Sequence, residues 1–256
     1  MFEVVNLDEK LPKAEYKRRA PLLQARLWEL QRVGWRNGVP TILVFEGWDA
    51  AGKGDCIRKL TERLEPRGFE LHHVTDNPRT LELAMPWMWP FWTDIPPRGK
   101  IAIFDRSWNR RAVLFRIERP EAEMEWRRSL RDINDFERWL TGDGYLLVKL
   151  FLHISHEEQL RRYARWKKDP GKSWKALEGV WRKPDRYDEV LAANEDLLQN
   201  TESGDSPWHV IPSTDRRWAR VAVFETLIAR LEAGFAERGI EVPETSPATG
   251  NGEEEE

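Results

Sequence analysis

Residues 45–55 read FEGWDAAGKGD, and Gly47, Gly52 and Lys53 have the G-x-x-x-x-G-K spacing of a phosphate-binding loop. In such a loop, backbone N–H groups, here those of Gly47, Ala50, Ala51, Gly52 and Gly54, cradle phosphate oxygens, and the ammonium of Lys53 adds a point charge. The next position ordinarily carries a Ser or Thr hydroxyl for Mg2+, but here it is Gly54. A carboxylate, Asp49, lies inside the loop instead, where an anion facing phosphates needs a chemical reason. A second acid, Asp105, closes the apolar run IAIFD, and Arg106, Arg110 and Arg111 follow it. Phosphoryl transfer is mainly positioning and charge neutralisation, and Mg2+ takes one or two carboxylates together with phosphate oxygens and water. Asp105 therefore reads as a metal carboxylate, Asp49 as a second acid that holds the metal or orients the acceptor phosphate, Lys53 as the phosphate-gripping cation, and the arginines as charge laid along a polyanion.

A third basic group runs from His156 to Arg186 and includes Arg161, Arg162, Arg165, Lys167, Lys168, Lys172, Lys175, Arg182 and Lys183. Pro170-Gly171 divides it into two short helices, and it reads as a lid, approximately residues 156–186, that closes on the reacting phosphates. Within it Arg162, Arg165 and Lys175 are the candidate phosphate ligands.

These residues need a scaffold, and the hydrophobic pattern supplies one. TILVFEG is a short continuous apolar strand of the kind buried in a parallel sheet, it leads directly into the loop, and Ile57–Leu64 reads as the helix after it. Further strands are expected at FELHHV, IAIFD, YLLVKLFLHIS and WHVIPS. Helices are expected at Leu11–Val33, with Leu22, Leu23, Leu27 and Leu30 inward, and at Glu121–Leu140, Asp185–Asn200 and Asp215–Arg238. Strand and helix alternate, which implies an α/β three-layer fold with a mostly parallel sheet and ligands at the carboxyl ends of its strands.

The chain has 256 residues, a net charge of -3 and one cysteine, Cys56. The length fits a single domain over residues 1–240, and the polar stretch 241–256, closing on four glutamates, reads as a disordered acidic tail. The charge balance argues against a nucleic-acid coat, no apolar run reaches the roughly 18 residues of a membrane span, and the acidic start is unlike a secretory signal. A cytoplasmic protein is expected. A lone cysteine rules out an internal disulfide and reads as a small buried residue. The five histidines show no metal-ligand spacing and read as structural. Trp87, Trp89 and Trp92 read as core or subunit-interface residues, with stacking on a nucleobase as the alternative.

GWDAAGKG, FDRSWNRR, FLHISHEEQLRRY with its basic segment, and SPWHVIPSTDRRWARVAV, in that order, resemble the family-2 polyphosphate kinases, from about Tyr16 to about Ala233. The resemblance implies a P-loop kinase fold and phosphate transfer between inorganic polyphosphate and a purine nucleotide, AMP/ADP or GMP/GDP, and the closest stretches point to the branch that phosphorylates AMP. It implies that Asp49, Lys53 and Asp105 form the catalytic centre with Mg2+, or Mn2+ in its place, that Arg106 binds phosphate, and that Arg162 reaches in from the lid. It also implies a homo-oligomer, a dimer or a tetramer. The family's D-R-S-W-Y-N-R-A is here Asp105-Arg106-Ser107-Trp108-Asn109-Arg110-Arg111-Ala112, without the Tyr and with Arg111 added, and Asp76-Asn77-Pro78-Arg79 stands where a Lys-Pro loop is usual. Two other activities share part of this pattern: an ATP-dependent kinase of a small metabolite, and a catalytically silent sensor of nucleotide or polyphosphate.

Overall fold

The structure, a computed structural model, describes residues 2–75, 84–171 and 186–244. Five strands form one wholly parallel sheet in the order β2-β3-β1-β4-β5: β1 Thr41–Gly47, β2 Phe69–His73, β3 Ile101–Asp105, β4 Leu146–His153 and β5 Trp208–Pro212. The eight described α-helices are α1 Lys13–Arg36, α2 Lys53–Thr61, α3 Trp89–Thr93, α4 Trp108–Glu118, α5 Glu123–Gly142, α6 His156–Lys168, α7 Tyr187–Asn200 and α8 Arg216–Ala236. Helices α1, α2 and α8 pack together, as do α4, α5 and α7. Right-handed crossovers place these groups on opposite faces of the sheet, which gives the expected three layers.

β1 and β4 are buried along almost their whole length, which explains why they read as unbroken apolar runs. Phe45 of β1 pairs in register with Asp105 of β3, so the loop after β1 and the acid at the end of β3 emerge side by side. The chain leaves these two neighbouring strands in opposite directions, toward β2 and toward β4, and that divergence opens a crevice at their carboxyl ends.

Three local expectations differ from what is observed. α2 begins at Lys53, four residues before the first position expected, because Gly52 in a left-handed conformation turns the chain straight into the helix. α4 was not anticipated: Ser107 caps it by accepting from the Asn109 N–H, and buried Trp108, Ala112, Val113 and Ile117 anchor it. On α1, Leu22 is 48% exposed, while Gln24 and Gln31 turn inward to donate to the carbonyls of Lys59 and Glu65. Cys56 is buried on α2 as expected. No described helix is long and apolar enough to cross a membrane.

Candidate active site

The loop between β1 and α2 is shaped by two contacts with β4. Gly47 has φ +123°, and a Cβ there would lie 2.2 Å from the Leu152 carbonyl oxygen, so only glycine lets β1 leave the sheet this closely. Trp48 N–H then donates to that same oxygen at 3.2 Å. Ala51 N–H closes the turn onto Trp48 O at 3.1 Å, and the first turn of α2 follows, with the Asp55 and Cys56 N–H groups both donating to Gly52 O at 3.0 Å. Lys53 is buried and folds back over the loop, donating from Nζ to Gly47 O at 2.7 Å and Trp48 O at 3.0 Å. Burial, then the nearby Arg106 charge, pull its pKa from 10.5 to about 8, against the opposing pull of Asp49 and Asp105.

Asp49 is buried, accepts from Arg106 Nη2 at 2.8 Å and lies 3.9 Å from Arg110 Nη2. Arg106 sits at φ +68°, an uncommon conformation for a residue with a side chain, and its N–H donates to Phe45 O at 3.0 Å. Asp105 Oδ2 lies 3.3 Å from His73 Nδ1. Burial opposes ionisation of Asp105, but the His73 hydrogen bond and the charges of Lys53, His73 and Arg106 outweigh it and hold the pKa below the ordinary carboxylate value. Four of the expected residues, Asp49, Lys53, Asp105 and Arg106, are thus gathered at one point, with Arg110 beside them.

The remaining expected residues divide. Arg111, one position on from Arg110, points to the other side of α4: its guanidinium lies over the Phe91 ring at 5.0 Å and lines a cavity of about 750 Å³ with Trp87, Trp92, Phe115, Phe136 and Trp139. It is not brought together with Arg110, because successive helical residues diverge by about 100°. Arg162 is turned to the loop backbone. It is buried, and all five of its N–H donors go to protein acceptors: Nε to Glu158 Oε1 (2.6 Å), Nη1 to Ala50 O (2.7 Å) and Ala51 O (2.8 Å), Nη2 to Ser213 O (2.7 Å) and Thr214 O (2.9 Å). No donor is left for a phosphate. Arg165 is exposed on α6, whereas Lys175 and Asp76-Asn77-Pro78-Arg79 lie outside the described residues, as do residues 172–185 of the lid.

Several residues at the site escaped the sequence reading. Glu46 is buried, and its Oε1 accepts from Ser107 N–H (2.8 Å), Ser107 Oγ (2.8 Å) and Arg110 N–H (3.2 Å), so the loop strand itself caps α4. Burial pushes the Glu46 carboxyl up, partly offset by Ser107, Lys53 and Arg110. His73, read as structural, touches Asp105. Gln159 Nε2 donates to Asp49 O at 3.2 Å. Glu46 follows four apolar residues of a strand, which signals burial of an acid and hence a partner, but nothing in the spacing of Gln159 pointed to the loop.

The family model "Polyphosphate kinase 2 (PPK2)" matches residues 10–238. The chain belongs to this family. It is 37% identical over 236 residues, 92% of its length, to a polyphosphate:AMP phosphotransferase of Pseudomonas syringae pv. tomato, of which it covers 47%. It is 31% identical to a GDP-polyphosphate phosphotransferase of Mycolicibacterium smegmatis, covering 88% of this chain and 79% of that protein. Among solved structures it superposes on polyphosphate kinase 2 from Arthrobacter aurescens TC1 with a TM-score of 0.86 at 27% identity, covering 95% of this chain and 88% of that one. The chain spans about half the length of the polyphosphate:AMP phosphotransferases that it matches. The P-loop kinase fold expected from the polyphosphate kinase 2 resemblance is the fold found.

Proposed function

We propose that this chain transfers phosphate between inorganic polyphosphate and a purine nucleotide at the crevice between β1 and β3. The observation that carries the reading is the convergence of Lys53, Asp49, Arg106 and Asp105, two acids and two cations, at the mouth of a phosphate loop. An AMP acceptor is favoured because the polyphosphate:AMP phosphotransferases share 34–37% of residues with the chain, against 31% for the first GDP-specific relative.

Asp49 and Asp105 fit a divalent cation, Mg2+ or Mn2+. Among the described residues no group of three or more metal-ligating side chains exists, and such a cation asks the protein for only one or two carboxylates. Asp105 is held ionised by its neighbours, as a ligand must be. When bound, the cation would neutralise charge on the phosphate oxygens. The α2 N-terminus and Lys53 grip the polyphosphate end, while Arg106 and Arg110 face the transferring group. An oxygen of the acceptor phosphate attacks the terminal phosphorus, a new P–O bond forms, the bridging P–O bond breaks, and the bond electrons leave with the shortened chain. Residues 1–240 act as one catalytic unit, with the basic segment as its lid and homo-oligomers as its working form.

The test is nucleotide formation, followed by chromatography, from the protein with Mg2+ and polyphosphate and with AMP, ADP, GMP and GDP offered separately. Conversion of AMP to ADP is expected. A protein that binds polyphosphate but phosphorylates nothing is a sensor, and one that uses only ATP is a metabolite kinase.

A further inference from the structure

The basic helix α6 reaches the loop through its polar inner face rather than through its charge. Gln159 and Arg162, one turn apart, receive three successive loop carbonyls: Gln159 takes Asp49 O, and Arg162 takes Ala50 O and Ala51 O. In a planar trans peptide the carbonyl of one residue and the N–H of the next point in opposite directions. Drawing the oxygens of Asp49, Ala50 and Ala51 toward α6 therefore turns the N–H groups of Ala50 and Gly52 away from it, toward the inner side of the loop, while the Ala51 N–H between them closes the turn on Trp48 O. The central residue, Ala50, is held at φ +66°, a conformation that is unfavourable for alanine without such support.

We infer that Gln159 and Arg162 are positioning residues, which fix the peptide planes of residues 49–51 so that the loop presents N–H groups to a phosphate chain. Arg162 also grips the carbonyls of Ser213 and Thr214, ahead of α8, so the loop is braced against a second connection on the same edge of the sheet. Glu158 fixes the guanidinium from within α6. Exposed Arg161 and Arg165 leave the same helix toward solvent, so one helix separates the bracing of the loop from whatever its outer charges meet.

The inference concerns the site assigned above and rests on that reading, and two measurements keep the failures apart. One is kcat and KM for polyphosphate at saturating AMP. The other is the rise in melting temperature caused by inorganic tripolyphosphate alone, which needs no catalysis and reports ligand affinity. Gln159→Leu carries no charge change and should lower kcat/KM by about tenfold, the scale of one net hydrogen bond, with a smaller tripolyphosphate shift. Arg162→Lys keeps the charge but not the five-donor fork, and should lower kcat/KM by about a hundredfold, as misplacement of a remote support does. Gln159→Leu with unaltered kinetics and an undiminished shift would overturn the inference. So would an Arg162→Lys enzyme as active as the parent, since charge would then suffice. A variant that melts earlier but keeps its full tripolyphosphate shift would show that the residue stabilises the fold and does nothing for the loop. Should Arg162→Lys not fold, Gln159→Leu decides alone. A parent protein stabilised by tripolyphosphate yet inactive on every nucleotide would refute the proposed reaction, and the variants' shifts would still read the clamp.

Discussion

Gly54 stands where a hydroxyl ordinarily holds the cation, and a Cβ built there meets nothing within 4 Å. The space for a side chain exists, so Gly54→Ser should fold at least as well as the parent, with a helix-propensity gain of about 0.5 kcal/mol. Asp49→Asn should lower kcat by about a hundredfold, the scale of losing one charge-stabilising group. If Asp49 does the hydroxyl's work, adding Gly54→Ser to Asp49→Asn recovers part of that loss in kcat, and a double variant no faster than Asp49→Asn would remove this account. Lys53 gives a pH signature. Its pKa of about 8 means that the ammonium is lost as pH rises through 8, so kcat/KM for polyphosphate should fall above that value and stay level just below it. A profile flat to pH 10 would show that the charge is dispensable. Between about 8 and 10.5 the unfolded chain holds a proton that native Lys53 has released, so this group's contribution to stability rises with pH there. The kinetic fall therefore does not come from unfolding through Lys53. Cys56 is inert by contrast: burial pushes its thiol up to about 12, so a thiol reagent should titrate none in the native protein and one after denaturation.

At the scale of elements, the β1–β4 contact sets how near the loop starts to the sheet. Gly47→Ala drives a Cβ into the backbone of Leu152 at a φ that alanine resists, and it should cost more than about 1 kcal/mol in urea unfolding, with loss of turnover. On the other face, fully buried Lys149 of β4 donates to Glu137 of α5 at 2.6 Å, and Glu137 also receives Trp108 Nε1 at the start of α4. Glu137→Gln leaves the lysine without its counter-charge and should lower stability by about 3–5 kcal/mol in the same experiment. The strands that carry the site were legible because a strand buried on both faces must be continuously apolar, as TILVFEG and IAIFD are. α4 was not, because its buried face includes Asn109, which bonds to the Ser107 cap, and Arg110, which faces Asp49 of the loop. The inner face of α6 was hidden for the same reason. Gln159, Arg162 and Tyr163 fall on one helical face and are buried, yet all three are polar, so the run read as a solvated basic lid. Whether a polar side chain meets water or a carbonyl is decided by residues about a hundred positions away in the chain, and no local pattern encodes that.

The whole molecule is mildly acidic, at -3, yet Lys53, Arg106 and Arg110 meet at one edge of the sheet. A polyanion is therefore recognised by local segregation of charge and not by the net value. Affinity for long polyphosphate should fall more steeply with added salt than affinity for tripolyphosphate, since a longer chain engages more cations. Equal salt slopes would confine binding to the loop itself. The loop is also supported from an unexpected quarter. Phe2 is buried, its ring stacked on His153 at 4.6 Å, and His153 Nδ1 in turn accepts from Trp48 Nε1 at 2.8 Å. Burial lowers the His153 pKa to about 4, which keeps the ring neutral and able to accept. An expression fragment trimmed to the family-matched span 10–238 would discard this phenylalanine and loosen the floor under the loop's tryptophan. A fragment that begins ahead of Phe2 keeps that support, which homology alone would mark as expendable.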